Sequence, residues 1–137
     1  MLINLENSTG LWSLNNDIGL LDSGKNCINT AKIVLNGNDR FSVREGKYFN
    51  LVQPYQHHTN CPAPGINVYS FALTPEDHQP SGTCNFSRID SAHLSISLTT
   101  NTLNNAYNSG SATIKVYAIN YNILRIMSGM GGLAYSN

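Results

Sequence analysis

The chain has 137 residues, which fits one domain, and its eight basic and eight acidic residues give a formal net charge of zero at pH 7. Such a surface lacks the excess of Lys and Arg with which proteins hold nucleic-acid phosphates. The 41% of hydrophobic residues argues against disorder, and no apolar run approaches the about 20 residues of a membrane-spanning helix. Short apolar runs separated by Asn, Ser, Thr and Gly favour an all-β domain with large loops.

The first half of the chain predicts little regular structure. Residues 1–29 carry turn signals and follow neither a helical nor a strand period, so we expect a loop-rich leader with room for one short element. Residues 31–35 predict a short strand, and the Asn-Gly pair after them is a strong turn signal. Residues 48–52 fit either a short strand or an irregular stretch, and the prolines of residues 53–65 predict a loop.

The second half carries clearer strand patterns. Residues 66–73 are rich in β-branched and aromatic side chains, which predicts a strand. Residues 92–99 alternate apolar and polar side chains, as expected for a strand with one buried face. Residues 112–125 predict a long strand with bulky groups on both faces, so we expect both faces to be covered. Residues 128–137 form a glycine-rich tail, and no segment predicts a convincing helix.

These patterns predict an all-β fold, an antiparallel β-sandwich of the Greek-key or jelly-roll type. The four to six predicted strands fall short of the eight of a complete jelly roll, so we expect an incomplete one. We divide the chain into a leader over residues 1–29, a strand-rich part over residues 30–127 and a tail over residues 128–137.

Adjacent histidines near a cysteine raise the question of a metal site. His57, His58 and Cys61 lie close in sequence, and the further ligands on offer are His78, Cys84 and His93. Structural zinc sites use close-spaced ligand pairs, and no second such pair exists here. We therefore interpret these residues as loop residues and predict no metal and no cofactor.

Two further clusters contain residue types that catalysis uses. Glu76, Asp77 and His78 include an acid and a base, but Pro-Glu-Asp is also an ordinary turn or helix-start composition. Nothing in the sequence marks Cys61 or Cys84 as an activated thiol. We predict no catalytic residue and no enzyme.

The first residues lack the charged and apolar regions of a secretory signal, so we expect the three cysteines to be reduced thiols. Asn7 and Asn85 begin sequences that match the N-glycosylation sequon, but such matches arise by chance in a chain this rich in Asn, Ser and Thr. The sequence does not decide whether either asparagine is glycosylated.

Phe86 and Arg88 fit two interpretations. They belong either to a structured loop that leads into the next strand or to a subunit contact, since Arg and aromatic residues are enriched where proteins meet. Residue type alone favours the structured loop.

Five long, collinear motifs carry a family resemblance. They are LNGNDRF at residues 35–41, YFNLVQPYQHH at 48–58, GINVYSFAL at 65–73, QPSGTCNFSRID at 79–90 and YNILRIMSGMGGLAYSN at 121–137. Residues 30–137 closely resemble the C-terminal part of the major capsid proteins of large nucleocytoplasmic DNA viruses, of the phycodnavirus, mimivirus and iridovirus kind.

This resemblance implies a fold and a function. The family fold is a double jelly roll, and three subunits form a pseudo-hexagonal capsomer of an icosahedral shell. The chain would supply the later strands of the second jelly roll and the tail, as a fragment or truncated copy of a longer subunit. The implied partners are other copies of the capsid protein, forming a homotrimer and then a lattice, together with minor capsid proteins. The resemblance implies neither direct nucleic-acid binding nor membrane insertion. It also implies that the chain is made in the host cytoplasm and becomes part of the virion.

The resemblance also suggests where subunits meet. We expect residues 126–135 to pack on the sandwich or on a neighbouring subunit. The candidate subunit contacts are Phe86, Arg88, Met127, Met130, Leu133 and Tyr135.

Two alternative functions remain open from the residues alone, because jelly rolls also serve as lectins and cupins. One is a carbohydrate-binding module, whose sugar contacts would come from Trp12, Tyr55, His57 and His58. The other is a cupin-like metalloenzyme that uses His57, His58 and His78.

Overall fold

The computed structural model describes residues 2–7, 26–62, 65–100, 102–103 and 112–135. All paired strands are antiparallel. The strands are β1 (Leu2–Asn7), β2 (Ile28–Leu35), β3 (Asn38–Asp39), β4 (Arg44–Glu45), β5 (Ile66–Val68), β6 (Ala92–Leu98), β7 (Ala112–Tyr117), β8 (Leu124–Met127) and β9 (Met130–Leu133). The helical segments are a π-helix over Tyr48–Val52, α1 over Gln53–His57 and a 3-10 helix over Phe86–Arg88. Within the described ranges, no helix has the length and apolar character to cross a membrane.

The central sheet is organised around β2, which pairs with β3, β4 and β6. The turn between β2 and β3 has positive φ at both Asn36 (49°) and Gly37 (78°), the backbone of a type I′ hairpin turn. Along β6, Leu94 and Ile96 are half-buried while the intervening Ser95 is exposed. These observations confirm the predicted strands over residues 31–35 and 92–99. They also confirm the predicted turn at Asn36 and Gly37.

A second sheet has the order β5-β1-β7. The strand β1 lies inside the segment predicted as a loop-rich leader, and most of the remaining leader lies outside the described residues. The predicted strand over residues 66–73 is shorter than expected, because β5 ends at Val68. The predicted long strand over residues 112–125 is also wrong in length, since β7 ends at Tyr117 and residues 118–123 are irregular.

Residues 48–57 are helical, which contradicts the expectation of a strand or irregular stretch followed by a loop. The apparent helix breaker, Pro54, lies in the first turn of α1, where the π-helix over Tyr48–Val52 passes into the α-helix and the hydrogen-bond pattern changes. Phe49 and Pro54 point into the core from this segment. Buried Gln53 donates to the Tyr48 hydroxyl (2.7 Å) and accepts from the Ser70 N–H (3.2 Å).

The core lies between β2, β6, the helical segment and the residues after β5. Its buried members are Ile28, Ala31, Ile33, Phe49 and Tyr69. A chain of aromatic rings continues from this core toward the surface. Its successive contacts are Phe49–Phe41 (5.7 Å between centroids), Phe41–Tyr69 (5.0 Å), Tyr69–Phe71 (5.0 Å) and Phe71–Phe86 (5.5 Å).

A network of side-chain amides joins β5 to the residues just before β2. Asn67 is 1% exposed, and it exchanges hydrogen bonds with Asn26 in both directions, at 2.5 and 3.1 Å. Asn26 also donates to the carbonyl of Gly46 (2.8 Å), and a β-carbon added at Gly46 would overlap the carbonyl oxygen of Ile28. The network therefore requires a glycine where the chain enters the helical segment.

Candidate functional site

The described C-terminal residues present an exposed apolar surface. From β7 onward most large apolar side chains are exposed, with Ile119 97% exposed. We name this set the C-terminal apolar surface: Ile114, Val116, Tyr117, Ile119, Tyr121, Ile123, Leu124, Ile126, Met127, Met130, Leu133 and Tyr135. The expectation that both faces of this segment are covered is therefore wrong within the described part of the chain. Apolar exposure on this scale marks interaction sites in soluble proteins.

The last two strands form a hairpin instead of a loose glycine-rich tail. A two-residue turn joins β8 to β9, with positive φ at Ser128 (52°) and Gly129 (77°), as a type I′ turn requires. Beyond the hairpin, Asn122 and Tyr135 exchange hydrogen bonds, which extends the pairing by a side-chain clasp. The register thus holds the tail in a fixed shape.

The hairpin has two different faces. Because cross-strand partners share a face, Leu124, Ile126 and Leu133 lie on one side, where Gly131 opposite Ile126 leaves a notch. Met127 and Met130 face each other on the opposite side. A two-stranded hairpin is marginally stable by itself in water, so this one needs a surface to pack against.

The structure divides the six candidate contact residues between two elements. Met127, Met130, Leu133 and Tyr135 belong to the hairpin and its extension, and all four are exposed. Phe86 and Arg88 belong to the 3-10 helix, which begins after Asn85 caps the N–H of Ser87 (3.1 Å). Phe86 ends the aromatic chain from the core, and its ring stays partly exposed.

The histidines considered for metal or sugar binding bond to a neighbouring loop. His57 Nδ1 lies 2.8 Å from the carbonyl oxygen of Leu73, and His58 Nδ1 lies 2.9 Å from a carboxylate oxygen of Glu76. Thr59 donates its N–H and hydroxyl to the other oxygen of Glu76, and these hydrogen bonds, with that from His58, lower the pKa of Glu76 below its ordinary value.

The three cysteines lie in different environments. Cys27 is buried, Cys84 is half-buried and Cys61 is exposed, and none of the three forms a disulfide. Burial raises the pKa of the Cys27 thiol. Across the described ranges, no three His, Cys, Asp or Glu side chains converge as a metal site would need. Trp12 lies outside the described residues, and so does Ser8 of the first sequon.

Comparison with known proteins matches residues 4–132 to the family described as large eukaryotic DNA virus major capsid protein. The chain belongs to this family. It is 66% identical over 114 residues to the major capsid protein of Phaeocystis pouchetii virus, which covers 83% of this chain and 21% of that protein. It is 48% identical over 145 residues to the major capsid protein of Paramecium bursaria Chlorella virus 1, which covers 95% of this chain and 31% of that protein.

The fold comparison agrees with the sequence comparison. The crystal structure of PBCV-1 VP54, fitted into a reconstruction of the virophage Sputnik, matches with a TM-score of 0.72 at 50% identity, over 80% of this chain and 30% of VP54. The resemblance stated from the motifs and the antiparallel jelly-roll fold class are therefore confirmed, and the carbohydrate-binding alternative is not favoured. The chain spans between 21% and 31% of the length of these relatives.

The sequence prediction is wrong for two residues of this surface. Ile119 and Leu124 belong to the predicted long strand with two covered faces, yet their side chains are 97% and 65% exposed. The available signal was an apolar pattern on both faces of a segment in a chain with too few strands to cover it.

Proposed function

We propose that the chain is a structural part of a viral capsid shell, which associates with other copies of the capsid protein and performs no catalysis. The single observation that carries this proposal is the C-terminal apolar surface in a member of a capsid protein family. An exposed apolar surface is unfavourable for an isolated protein and stabilising where a second protein covers it. The zero net charge removes the long-range repulsion that would oppose contact between copies.

We further propose that two places form the contacts. The hairpin contributes Met127, Met130, Leu133 and Tyr135, and the 3-10 helix contributes Phe86 and Arg88. Buried aromatic and Arg side chains dominate many interfaces, and Phe86 is held from behind by Phe71, so it presents a fixed ring edge. We also propose that the subunit forms a homotrimer within a capsid lattice, with minor capsid proteins as further partners. The chain would be made in the host cytoplasm and become part of the virion. The proposal includes neither direct nucleic-acid contact nor membrane insertion.

Sedimentation velocity on the 137-residue chain over a range of concentrations tests this proposal. The unchanged chain should self-associate, and Ile126→Lys should shift it toward monomer, because a charge at this position cannot be buried without a partner. The matched control is Val43→Lys, which replaces an exposed apolar residue outside the C-terminal apolar surface. A chain that stays monomeric at every concentration, or that responds equally to both variants, would contradict the proposal.

A further inference from the structure

Two segments distant in sequence are joined through one carboxylate. The first consists of residues 57–59, where α1 ends, and the second is the loop of residues 73–77. One carboxylate oxygen of Glu76 accepts a hydrogen bond from His58 Nδ1 (2.9 Å). The other oxygen accepts hydrogen bonds from the Thr59 N–H (3.2 Å) and from the Thr59 hydroxyl (2.7 Å). We name this arrangement the Glu76 latch. The nearby bond from His57 Nδ1 to the carbonyl of Leu73 (2.8 Å) joins the same two segments.

The chemistry of the partners fixes the direction of each hydrogen bond. An ionised carboxylate can only accept, so His58 donates from Nδ1 and Thr59 donates from both of its groups. His58 Nε2 is buried, and the described residues offer it no hydrogen-bond partner. His58 therefore contributes one N–H, from Nδ1, to the latch. Glu76 is the acceptor of all three hydrogen bonds, so its protonation is the change that weakens the acceptor side of the latch.

We infer that Glu76 acts as a proton-operated latch, which holds the loop of residues 73–77 against the end of α1 when it is ionised and releases the loop when it is protonated. A protonated carboxyl is neutral and carries an O–H on one of its oxygens, so it is a weaker acceptor for the three present hydrogen bonds than the ionised carboxylate is.

The sign of the pH dependence follows from Glu76. The donors lower its pKa in the folded chain below the ordinary value for a glutamate. Latch stability is therefore fully present above the ordinary glutamate pKa and is lost as the pH falls through the lowered folded value. The other titratable groups on or beside the two segments are His57 on the first, Cys61 two residues after it, Asp77 on the second and His78 directly after it. From outside them, Tyr121 donates its hydroxyl to the carbonyl of Asp77 (2.8 Å).

The latched loop leads along the chain to the 3-10 helix that carries Phe86 and Arg88. Ser81 Oγ accepts from the Thr74 N–H (2.8 Å) and donates to the Thr74 carbonyl (3.1 Å), so the loop behaves as a tied unit. If the proposed subunit contact at Phe86 is right, an open latch loosens the element that presents it. This consequence rests on the proposed function, whereas the latch itself rests on the loop geometry alone.

Nuclear magnetic resonance on the labelled 137-residue chain tests the latch directly. The side-chain carboxyl carbon of Glu76 reports its titration, and the exchange rate of the Thr59 amide, divided by its intrinsic rate at each pH, reports the hydrogen bond to Glu76. We expect Thr59 protection to fall about threefold as Glu76 is protonated, a size typical of exposed, screened ion pairs. Glu76→Gln should lower the protection already at pH 6, and the neighbouring Asp77→Asn should behave like the unchanged chain.

Protection of Thr59 that stays constant through the Glu76 titration would overturn the inference, and so would a Glu76→Gln chain with unaltered protection. Should Glu76→Gln fail to fold, the coincidence of the carbon and amide titrations in the unchanged chain decides the question. Self-association is measured separately by sedimentation, so failure of the latch and failure of the proposed function give different results.

Discussion

The sheet around β2 and the C-terminal hairpin use the same kinds of side chain with opposite outcomes. Ile33 in β2 is 5% exposed, whereas Ile126 in β8 is 69% exposed. Both residues belong to antiparallel strands with apolar neighbours, so local sequence does not separate them. The difference lies in what covers each strand. The helical segment and β6 cover β2, and nothing in the described chain covers the hairpin.

This contrast teaches that the two regions are stabilised by different things. The core region gains its stability from apolar burial within the chain, which contributes about 25 cal/mol for each Å² removed from water. The hairpin retains its shape through backbone pairing and the side-chain clasp between Asn122 and Tyr135, and its apolar burial awaits a partner. Variants in the core should therefore change folding, and variants in the hairpin should change association.

The strongest test of the core is Gly46→Ala. The added β-carbon would overlap the Ile28 carbonyl oxygen, and a backbone atom cannot rotate away as a side chain can. We expect a loss of about 4 kcal/mol in the free energy of unfolding, measured by urea denaturation. Gly132→Ala is the control, because nothing lies within 4 Å of its β-carbon position. Equal losses in the two variants would contradict the claim that the Ile28 carbonyl leaves no room for a β-carbon at position 46.

A matched pair of isoleucines sharpens the comparison. Ile33→Ala should destabilise the chain by about 3 kcal/mol, because it opens a cavity among buried neighbours. Ile126→Ala should change unfolding of the monomer by less than about 0.5 kcal/mol, while it weakens self-association. Thermal unfolding at low concentration and sedimentation at high concentration separate the two effects. A loss of monomer stability at Ile126 equal to that at Ile33 would contradict the division into two regions.

The amide network gives a smaller effect. Asn67→Ala removes both hydrogen bonds shared with Asn26 and the bond to the Gly65 carbonyl (3.3 Å). We expect a loss of about 2 kcal/mol in the free energy of unfolding, because buried polar groups lose their partners. Asn38→Ala serves as the control, since its amide is exposed and makes a long bond of 3.4 Å to the Asn36 carbonyl. A network that contributes nothing would leave the two variants equally stable.

Some of this organisation is accessible from the sequence. Strand β6 and the turn at Asn36 are local, because side-chain alternation and an Asn-Gly pair determine them without help from the rest of the chain. The helical segment was missed for a local reason too. A proline counts against a helix unless its position in the first turn is recognised, and Pro54 lies in that turn.

The rest depends on contacts that no local pattern encodes. Whether Ile119 or Ile126 is covered depends on polypeptide that pairs with it, and an apolar pattern is the same for a covered strand and an open one. The bonds from His58 and Thr59 to Glu76 join residues 17 and 18 positions apart, so they follow from how the loops fold back. The sequence therefore predicts the fold class and the family well, and the surfaces poorly.

Thiol labelling measures how tightly the core region is closed, with the smallest perturbation of the chain. Cys27 is buried, so reagent reaches it less easily than it reaches the exposed Cys61, and burial also raises the pKa of the Cys27 thiol, which lowers its reactivity further. We expect Cys27 to react at least about tenfold more slowly than Cys61 with a disulfide reagent, and the difference to vanish in urea. Cys27 needs local opening to react, so Gly46→Ala should speed its labelling, whereas Ile126→Ala should leave it unchanged. Labelling of Cys27 as fast as that of Cys61 in the native chain would mean that the core opens as readily as the loop surface, and the contrast between the two regions would fail.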